Sequence, residues 1–343
     1  MARFEELVEN GGVTVQDKFM AVGLHGFNLV ALKDAQGFNV IAADPHKIEL
    51  SHVTRENVGH VSVLLGHQFK SLLMSNDDAK AYLAAMVNVV NAGPSSQLWL
   101  VKGKATGRTE ITASRGRHSL PLGVWVLPPK RFTIGFRFVR MYDEHNHQSL
   151  TKFTPTDASG WVDELNSVYG MQANISFKLA DAAILSLTVN SEDIFHEEFV
   201  KHQQVVAIDY FGGEKPKKDA SALKYFEFDR SKNADVTIFV VFRYGEKVLA
   251  AGGRPTAGPG ISQTFPEKQI CIVEDTPAQD SPFMKGEDAF LVNLAHEVAH
   301  FLNYRLTGTR VNIHHDRQGM LLSSRLQSIR LDSGVVGSVN LVR

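Results

Sequence analysis

The segment Leu291-Val-Asn-Leu-Ala-His-Glu-Val-Ala-His-Phe-Leu-Asn303 carries the most informative pattern in this chain. Within it, His296 and His300 are four residues apart, and Glu297 directly follows the first of them. Residues at that spacing lie on one face of an α-helix, so the two histidines can hold one Zn²⁺. The glutamate lies about 100° around the helix from the first histidine. From there it can reach a water beside the metal without being a ligand itself.

Apolar side chains surround the pattern on almost every side, which is typical of a buried helix. We predict a helix over 288–303 whose main buried stripe consists of Leu291, Leu294, Ala295, Val298 and Leu302. Buried histidine and glutamate side chains need partners, because an unsatisfied buried polar group destabilises the fold. A metal ion would satisfy all three groups. The alternative is an ordinary core helix whose histidines bond to the backbone.

A third ligand is needed, because a catalytic zinc site has three protein ligands and an open fourth position. The only histidines after His300 are His314 and His315, and Asp316 and Met320 follow them. Either of these histidines can supply the third ligand. The rival is a Glu or Asp ligand on a second, remote helix, for which the sequence after the pattern shows no clear motif.

These residues resemble the metzincin branch of zinc peptidases, in which HExxHxxGxxH is followed by a turn that carries a methionine beneath the metal. The resemblance implies that His296 and His300 are metal ligands and that Glu297 is the catalytic glutamate. It places Asn303 at the glycine that ends the helix, and asparagine is the next-best residue for a left-handed helix end. Met320 matches the turn methionine.

The third ligand departs from the spacing of that family. Its third histidine follows the second by six residues, and Leu306 stands at that position here. The resemblance then implies His315 as the third ligand, with His314 as the alternative, and Asp316 as its acidic neighbour that orients it. About nine extra residues within 304–313 must loop out.

The second part of the chain is expected to have an α+β fold, because strands and helices are mixed along it. The resemblance implies a zincin or metzincin-like catalytic domain, a twisted mixed sheet plus helices, that runs strand, helix, strand, further strands and then the zinc helix. The matching segments are strands at 131–139, 173–179, 236–242 and 268–273, and helices at 157–169 and 288–303. We expect the strand at 268–273 to pair with an extended peptide substrate.

The first part of the chain is predicted to be β-rich with one helix. Short apolar runs at 27–32, 38–42, 61–65, 98–101 and 124–127 alternate with turn residues and predict strands. Apolar residues at helical spacing predict the helix over 75–91, capped by Ser75. The run Gly103-Lys-Ala-Thr-Gly-Arg-Thr-Glu-Ile-Thr-Ala113 resembles the closing strands of bacterial Ig-like domains.

Two consecutive prolines in Leu127-Pro-Pro-Lys130 predict the boundary between these parts, because proline interrupts both helices and sheet ladders. We therefore predict an accessory domain over 1–128 and a zincin-like metallopeptidase domain over 131–343.

Composition restricts the class of protein. The chain has 343 residues, 43% of them hydrophobic, and a formal net charge of −1, so it can bury a core and gives no electrostatic reason to bind nucleic acid. Cys271 is the only cysteine, which excludes a disulfide framework. The sequence contains no apolar run of about 18 residues, which is the length that would predict a membrane span. The start, MARFEELVEN, lacks the layout of a secretory signal, so we expect a soluble protein, cytoplasmic as made, with leaderless export as an alternative.

The expected function is that of a zinc metallopeptidase. Zn²⁺ is its cofactor, a zinc-activated water hydrolyses peptide bonds, and Glu297 acts as general base. The expected partners are a protein or peptide substrate and, for a bacterial effector or toxin, an export machine or inhibitor protein. One alternative is a peptidoglycan peptide or amide hydrolase that uses the same site. The other is a non-catalytic binding protein with a structural metal.

Two further segments combine histidines with acidic residues. Asp143, His145 and His147 lie in one polar stretch, and His196 and His202 lie at helical spacing in another. We expect a solvated loop for the first and a charged helix face for the second, rather than metal sites.

Overall fold

The structure is a computed structural model. It describes residues 2–3, 7–10, 13–16, 19–33, 35–93, 95–191, 196, 199–200, 205–206, 223–249, 255–260, 262–275, 287–307, 320–322 and 329–331. His314, His315 and Asp316 lie outside these residues. None of the helices in this part of the chain combines the length and apolar character that a membrane crossing requires.

The described elements define a mixed α+β chain that is rich in strands. The strands are β1 (Ala2–Arg3), β2 (Leu7–Asn10), β3 (Val13–Gln16), β4 (Phe19–Gly23), β5 (Phe27–Lys33), β6 (Asn39–Ala42), β7 (Ile48–Val53), β8 (Ser96–Gly103), β9 (Gly107–Arg115), β10 (His118–Leu127), β11 (Lys130–Asp143), β12 (Gln148–Leu150), β13 (Ile175–Val189), β14 (Val205–Val206), β15 (Val236–Val241), β16 (Tyr244–Leu249), β17 (Pro255–Gly260), β18 (Ser262–Phe265), β19 (Ile270–Glu274), β20 (Met320–Leu322) and β21 (Ile329–Leu331). The α-helices are α1 (Val58–Ser71), α2 (Asn76–Asn91), α3 (Ala158–Ala173), α4 (Leu223–Phe228) and α5 (Glu287–Thr307), and the 3₁₀ helices are Pro155–Asp157 and Pro266–Lys268.

The chain divides into two compact units. The first unit consists of Met1–Arg131, Asp163–Phe177 and Asn312–Arg343. The second consists of Phe132–Val162 and Lys178–Val311. The helix with the His-Glu-x-x-His pattern, α5, belongs to the second unit.

Two four-stranded sheets share a core in the first unit. One sheet has the order β1-β5-β8-β7, and the other has the order β4-β10-β9-β6. Their shared core contains Val22, Val30, Val101, Ile111 and Val124, which come from both sheets and are almost fully buried. The expected β-rich character of this part is therefore correct, and the resemblance to Ig-like domains stays a prediction.

Helices α1 and α2 cover the outer face of the first of these sheets. Leu29 and Ala31 on β5 pack in one cluster with Val61 and Leu65 of α1. The alternate residues of β5, Val30 and Leu32, pack in the core between the two sheets. Because β5 is therefore buried on both faces, its sequence is a nearly continuous apolar run.

The strand predicted at 61–65 is wrong, because these residues belong to α1. Val61, Leu65 and Phe69 are its buried residues and follow the helical spacing of four. A strand would bury Val63 on the same face as Val61 and Leu65, but Val63 is 57% exposed. The first part of the chain thus has two helices rather than one. The second, α2, is capped as predicted, since the Ser75 side chain accepts a hydrogen bond from the Asp78 backbone N–H at 3.1 Å.

A mixed sheet forms the centre of the second unit. Its order is β12-β11-β15-β19-β18, and β13 also pairs with β11. The pairs β11–β15 and β15–β19 are parallel, whereas β18 runs antiparallel to β19. Every residue of β15 and β19 is buried, as expected for strands covered on both faces. The strand predicted at 268–273 lies inside the sheet, so the expectation that it pairs with a substrate is wrong.

Helix α5 packs against β18 and β19 on one face of this sheet. The sheet's other face packs against Phe199, Leu223 and Phe226 through side chains such as Phe239 and Ile272. An aromatic cluster fixes the first turns of α5, since the Phe290 ring centroid lies 4.5 Å from Trp161 and 4.9 Å from Phe153.

Glu274 is a buried carboxyl group at the end of β19. Burial raises its pKa from 4.5 to about 7, and the neighbouring Asp275 adds to the effect. The Tyr244 backbone N–H donates a hydrogen bond to Glu274 Oε2 at 3.1 Å, which opposes the shift without cancelling it.

We expect Glu274→Gln to gain stability over the wild type as pH rises from about 4.5 to about 7. In that window the unfolded wild type has lost the proton that the folded wild type keeps, so its free energy of unfolding falls with pH. Glutamine does not titrate, so the free energy of unfolding of Glu274→Gln does not fall for this reason. Urea unfolding at pH 5 and pH 8 measures the difference, with the exposed Glu144→Gln as control. An equal response to pH in wild type and Glu274→Gln would contradict the prediction.

Candidate metal centre

Helix α5 positions the site because one of its faces is fully buried against the sheet. Phe290, Leu294, Val298, Phe301 and Leu302 are each 0% exposed. Residues on the neighbouring face then lie at the margin of the packed surface. That face carries His296 and His300, both of which are partly exposed. The predicted helix is thus present, and it extends to Thr307.

The two histidines point at the same place. Their ring centroids are 4.6 Å apart, and the ring planes are inclined at 82°. His296 Nε2 and His300 Nε2 are 2.9 Å apart. Two imidazole nitrogens bound to one tetrahedral Zn²⁺ would be about 3.3 Å apart, because each Zn–N bond is about 2.0–2.1 Å. A small rotation of either ring meets that distance, so this pair fits a metal of this size.

Glu297 completes the group. One ligand atom from each of His296, Glu297 and His300 lies within 4.8 Å of the other two. The side chain of Glu297 is buried, at 3% exposure, whereas the histidines face outward. The carboxylate is therefore close to the point where the imidazoles converge but lies deeper, towards the sheet.

Thr264 on β18 holds this carboxylate. Thr264 Oγ1 lies 2.5 Å from Glu297 Oε2 and 3.0 Å from the Glu297 carbonyl oxygen. A hydroxyl has one proton to donate, and an ionised carboxylate is the stronger acceptor. The contact ties the glutamate to the edge strand. Sequence reasoning missed Thr264, because nothing near it in the chain marks it as part of a site.

Cys271 lies beneath the same glutamate. It is fully buried, and its Sγ is 3.3 Å from Thr264 Oγ1 and 3.7 Å from the Glu297 carbonyl oxygen. Burial raises the pKa of the thiol well above its usual range. The cysteine therefore acts as a small core residue rather than as a nucleophile.

The structure describes only some of the remaining residues that the sequence predicts for the site. His315, the alternative His314 and the supporting Asp316 lie outside the described residues. Met320 begins strand β20, and its side chain is not described. The expectation for Asn303 is wrong, because α5 continues past it to Thr307 and this buried asparagine is an interior helix residue.

Asp143, His147 and His196 form a second group that the sequence divided between two segments. Asp143 Oδ2 lies 2.7 Å from His147 Nδ1 and 3.4 Å from His196 Nε2. Asp143 Oδ1 accepts the backbone N–H groups of His145 and His147 at 2.9 and 2.8 Å. The expectation of a solvated loop is wrong for Asp143, which is buried at 6% exposure.

This second group stabilises a loop, and its ligand atoms do not meet the distance condition that the first group meets. Among the described residues, only His296, Glu297 and His300 bring three ligand atoms within 4.8 Å of one another. The carboxylate of Asp143 instead closes the turn between β11 and β12 through backbone hydrogen bonds.

Comparison with known proteins gives little. No protein-family model matches the chain, and no curated protein matches it. Similar solved structures are the surface-layer protein SbsC, domains 4–9, with 17% identity over 36% of this chain and a TM-score of 0.20, and domains 1–6, with the same identity, coverage of this chain and TM-score. The chain spans 14% and 13% of the length of these structures. Similarity at this level carries no argument about fold or activity.

We expect the purified protein to bind about one zinc ion per chain and both His296→Ala and His300→Ala to lose it, because each removes a nitrogen from a shared site. Elemental analysis after zinc loading and desalting measures this. His118→Ala, at an exposed strand position, is the matched control and keeps the metal.

The same measurement on His314→Ala and His315→Ala tests the third ligand. One of the two is expected to lose the zinc ion, and the other to retain it. Retention of a full zinc ion by His296→Ala would contradict the site itself.

Proposed function

We propose that this protein is a zinc-dependent metallopeptidase whose centre is His296, Glu297 and His300. The observation that carries the proposal is the convergence of two imidazole nitrogens, 2.9 Å apart, beside a buried glutamate on a helix packed against a sheet edge. Two histidines four residues apart with a glutamate after the first are the donor set that a catalytic zinc site uses.

His296 and His300 would hold the metal, and His315 or His314 would be the third ligand. A bound Zn²⁺ supplies Lewis acidity, which lowers the pKa of water and polarises a substrate carbonyl. Glu297 has the role of general base. Its carboxylate takes a proton from the attacking water and passes it to the leaving amine when the peptide bond breaks.

The surroundings of Glu297 suit that role. The Thr264 hydroxyl donates to one carboxylate oxygen, Oε2, and so holds the carboxylate in one orientation. The fully buried Cys271 and the sheet behind it exclude solvent from the inner side of the carboxylate. A proton acceptor held in one orientation costs little reorganisation during the reaction.

Strand β18 is the element we propose for substrate binding. It is the last strand of the central sheet among the described elements, and β19 pairs with one of its sides. An extended peptide can add to such an edge through main-chain hydrogen bonds. Because Thr264 of β18 touches Glu297, a peptide on this edge would lie beside the glutamate.

The order of elements along the chain also supports a zincin-like fold, in which residues 163–177 of α3 and β13 belong to the first unit. Strand β11, helix α3, strand β13, strands β15, β18 and β19 and then helix α5 follow one another along the chain. This is the order that the resemblance to metzincins implies, and within the proposal Asp316 and Met320 keep their supporting roles.

We expect Glu297→Gln to keep its zinc and to lose hydrolysis by a factor of roughly 10² to 10⁴, because an amide cannot accept the proton. Release of peptides from a protein mixture measures the activity, and elemental analysis measures the zinc. Glu227→Gln is the control, since that glutamate forms only an exposed ion pair with Lys268.

Hydrolysis assays on a panel of proteins and cell-wall fragments distinguish a peptidase acting on proteins from a peptidoglycan hydrolase and from a binding protein. Cleavage of cell-wall peptides alone would assign the same chemistry to a peptidoglycan substrate. If Glu297→Gln hydrolysed every substrate as fast as the wild type, or if zinc-loaded wild type hydrolysed none, a structural metal in a binding protein would replace the proposal.

We expect Thr264→Val to lower kcat by about tenfold to a hundredfold with little change in KM, because a hydrogen bond to a charged group is worth about 1.5–3 kcal/mol. Valine has nearly the shape of threonine, so packing against Cys271 is kept. Thr264→Ser restores the hydroxyl and should recover most of the activity. Equal kcat values for Thr264→Val and wild type would show that the contact does not support catalysis.

A further inference from the structure

The first unit contains a cavity of about 410 Å³ that is separate from the metal centre. Its walls come from the turn between β4 and β5, one face of α1, the segment that enters β11 and the start of β13. All of its lining residues belong to the first unit. Its volume falls within the range of small-molecule sites, about 300–1,000 Å³.

Every charged or titratable side chain that lines this cavity is basic, and none can carry a negative charge. They are Lys130, Arg131, His25 and His67, and none of the lining residues is an Asp or Glu. Apolar side chains, Leu24, Phe27, Leu64 and Leu72, form much of the remaining wall. A cavity of this kind attracts an anion and gives an apolar body a place to pack.

Lys130 is the most informative of these groups. It is half-buried, and burial lowers the pKa of its ammonium group. Among the described residues, no carboxylate forms an ion pair with Lys130 or with Arg131 beside it. A partly desolvated cation without a counter-ion is costly, and a bound anion would remove that cost.

Hydrogen bonds within the protein hold the walls of the cavity in place. The side-chain amide of Gln68 on α1 pairs with the backbone N–H of Phe27 and donates to its carbonyl oxygen at 2.6 Å. Asn174 Nδ2 donates to the Leu127 carbonyl oxygen at 2.8 Å, and the Lys130 backbone N–H donates to the Asn174 carbonyl oxygen at 3.0 Å. The amide and carbonyl groups of these walls are thus bonded within the protein. The groups that can bind an anion are the cationic side chains of Lys130 and Arg131.

Two residues at this cavity have a strained backbone. His25 and Asn174 have φ values of 60° and 52°, in the left-handed region that L-residues rarely adopt. The backbone conformation at His25 is held by a hydrogen bond from its backbone N–H to the Gly103 carbonyl oxygen at 2.9 Å. Strained backbone that the surrounding contacts enforce is concentrated at functional sites.

We propose that this cavity binds a small phosphomonoester with an apolar body. Two adjacent cations, Lys130 and Arg131, match the double negative charge of a phosphomonoester. The planar guanidinium group can bind two phosphate oxygens at once, and the ammonium group adds a point charge. The leucine and phenylalanine side chains then cover the organic part of the ligand. The site is independent of the proposed hydrolysis.

Titration calorimetry on the full-length protein tests this with phenyl phosphate, inorganic phosphate and phenol as probes. We expect saturable binding of phenyl phosphate at one site, weaker binding of inorganic phosphate and none of phenol. Lys130→Gln should weaken phenyl phosphate binding by about tenfold or more, the loss expected for one charge-assisted contact. Lys130→Arg keeps the charge and should bind within a few-fold of wild type.

Lys33→Gln is the matched control, because this exposed lysine of the same unit does not line the cavity. Far-UV circular dichroism checks that each variant is folded. The proposal is overturned if folded wild type shows no saturable binding of phenyl phosphate, or if phenol binds as tightly. It is also overturned if Lys130→Gln and Lys33→Gln bind phenyl phosphate equally well.

Discussion

The contact between Thr264 and Glu297 fixes the arrangement on which the proposed metal centre depends. The buried apolar face of α5 sets its approximate rotation about the helix axis. Apolar contacts still leave small rotations and shifts free, because the hydrophobic effect has no direction. A buried carboxylate with a specific donor on the edge strand removes that freedom. Once the glutamate is held inward, the neighbouring histidines of α5 must face the margin of the sheet, where their Nε2 atoms meet.

The helix with the His-Glu-x-x-His pattern could be predicted from the sequence because two independent regularities coincide there. Its apolar residues predict a buried helix, and its polar residues follow metal-ligand spacing. Thr264 could not be predicted in the same way, since its role arises from the antiparallel pairing of β18 with β19. Pairing between strands depends on the whole sheet, whereas helical spacing is local.

Two of the wrong predictions elsewhere have different physical causes. The run at 61–65 contains β-branched residues and predicts a strand, whereas the helical period becomes visible only when Phe69 is included. The sequence predicts a solvated loop for Asp143 and its histidines, because polar residues in a loop are usually exposed. Here a carboxylate is buried by satisfying backbone N–H groups that the turn would otherwise leave unpaired.

Cys271 gives the chain an internal reporter of its own packing. It is the only thiol, and it lies fully buried between the sheet and the glutamate of α5. A thiol in that position reacts with an alkylating reagent only in molecules where α5 has separated from β18 and β19. The alkylation rate of the unmodified protein therefore measures the free energy of local opening at the proposed metal centre, without any engineered label.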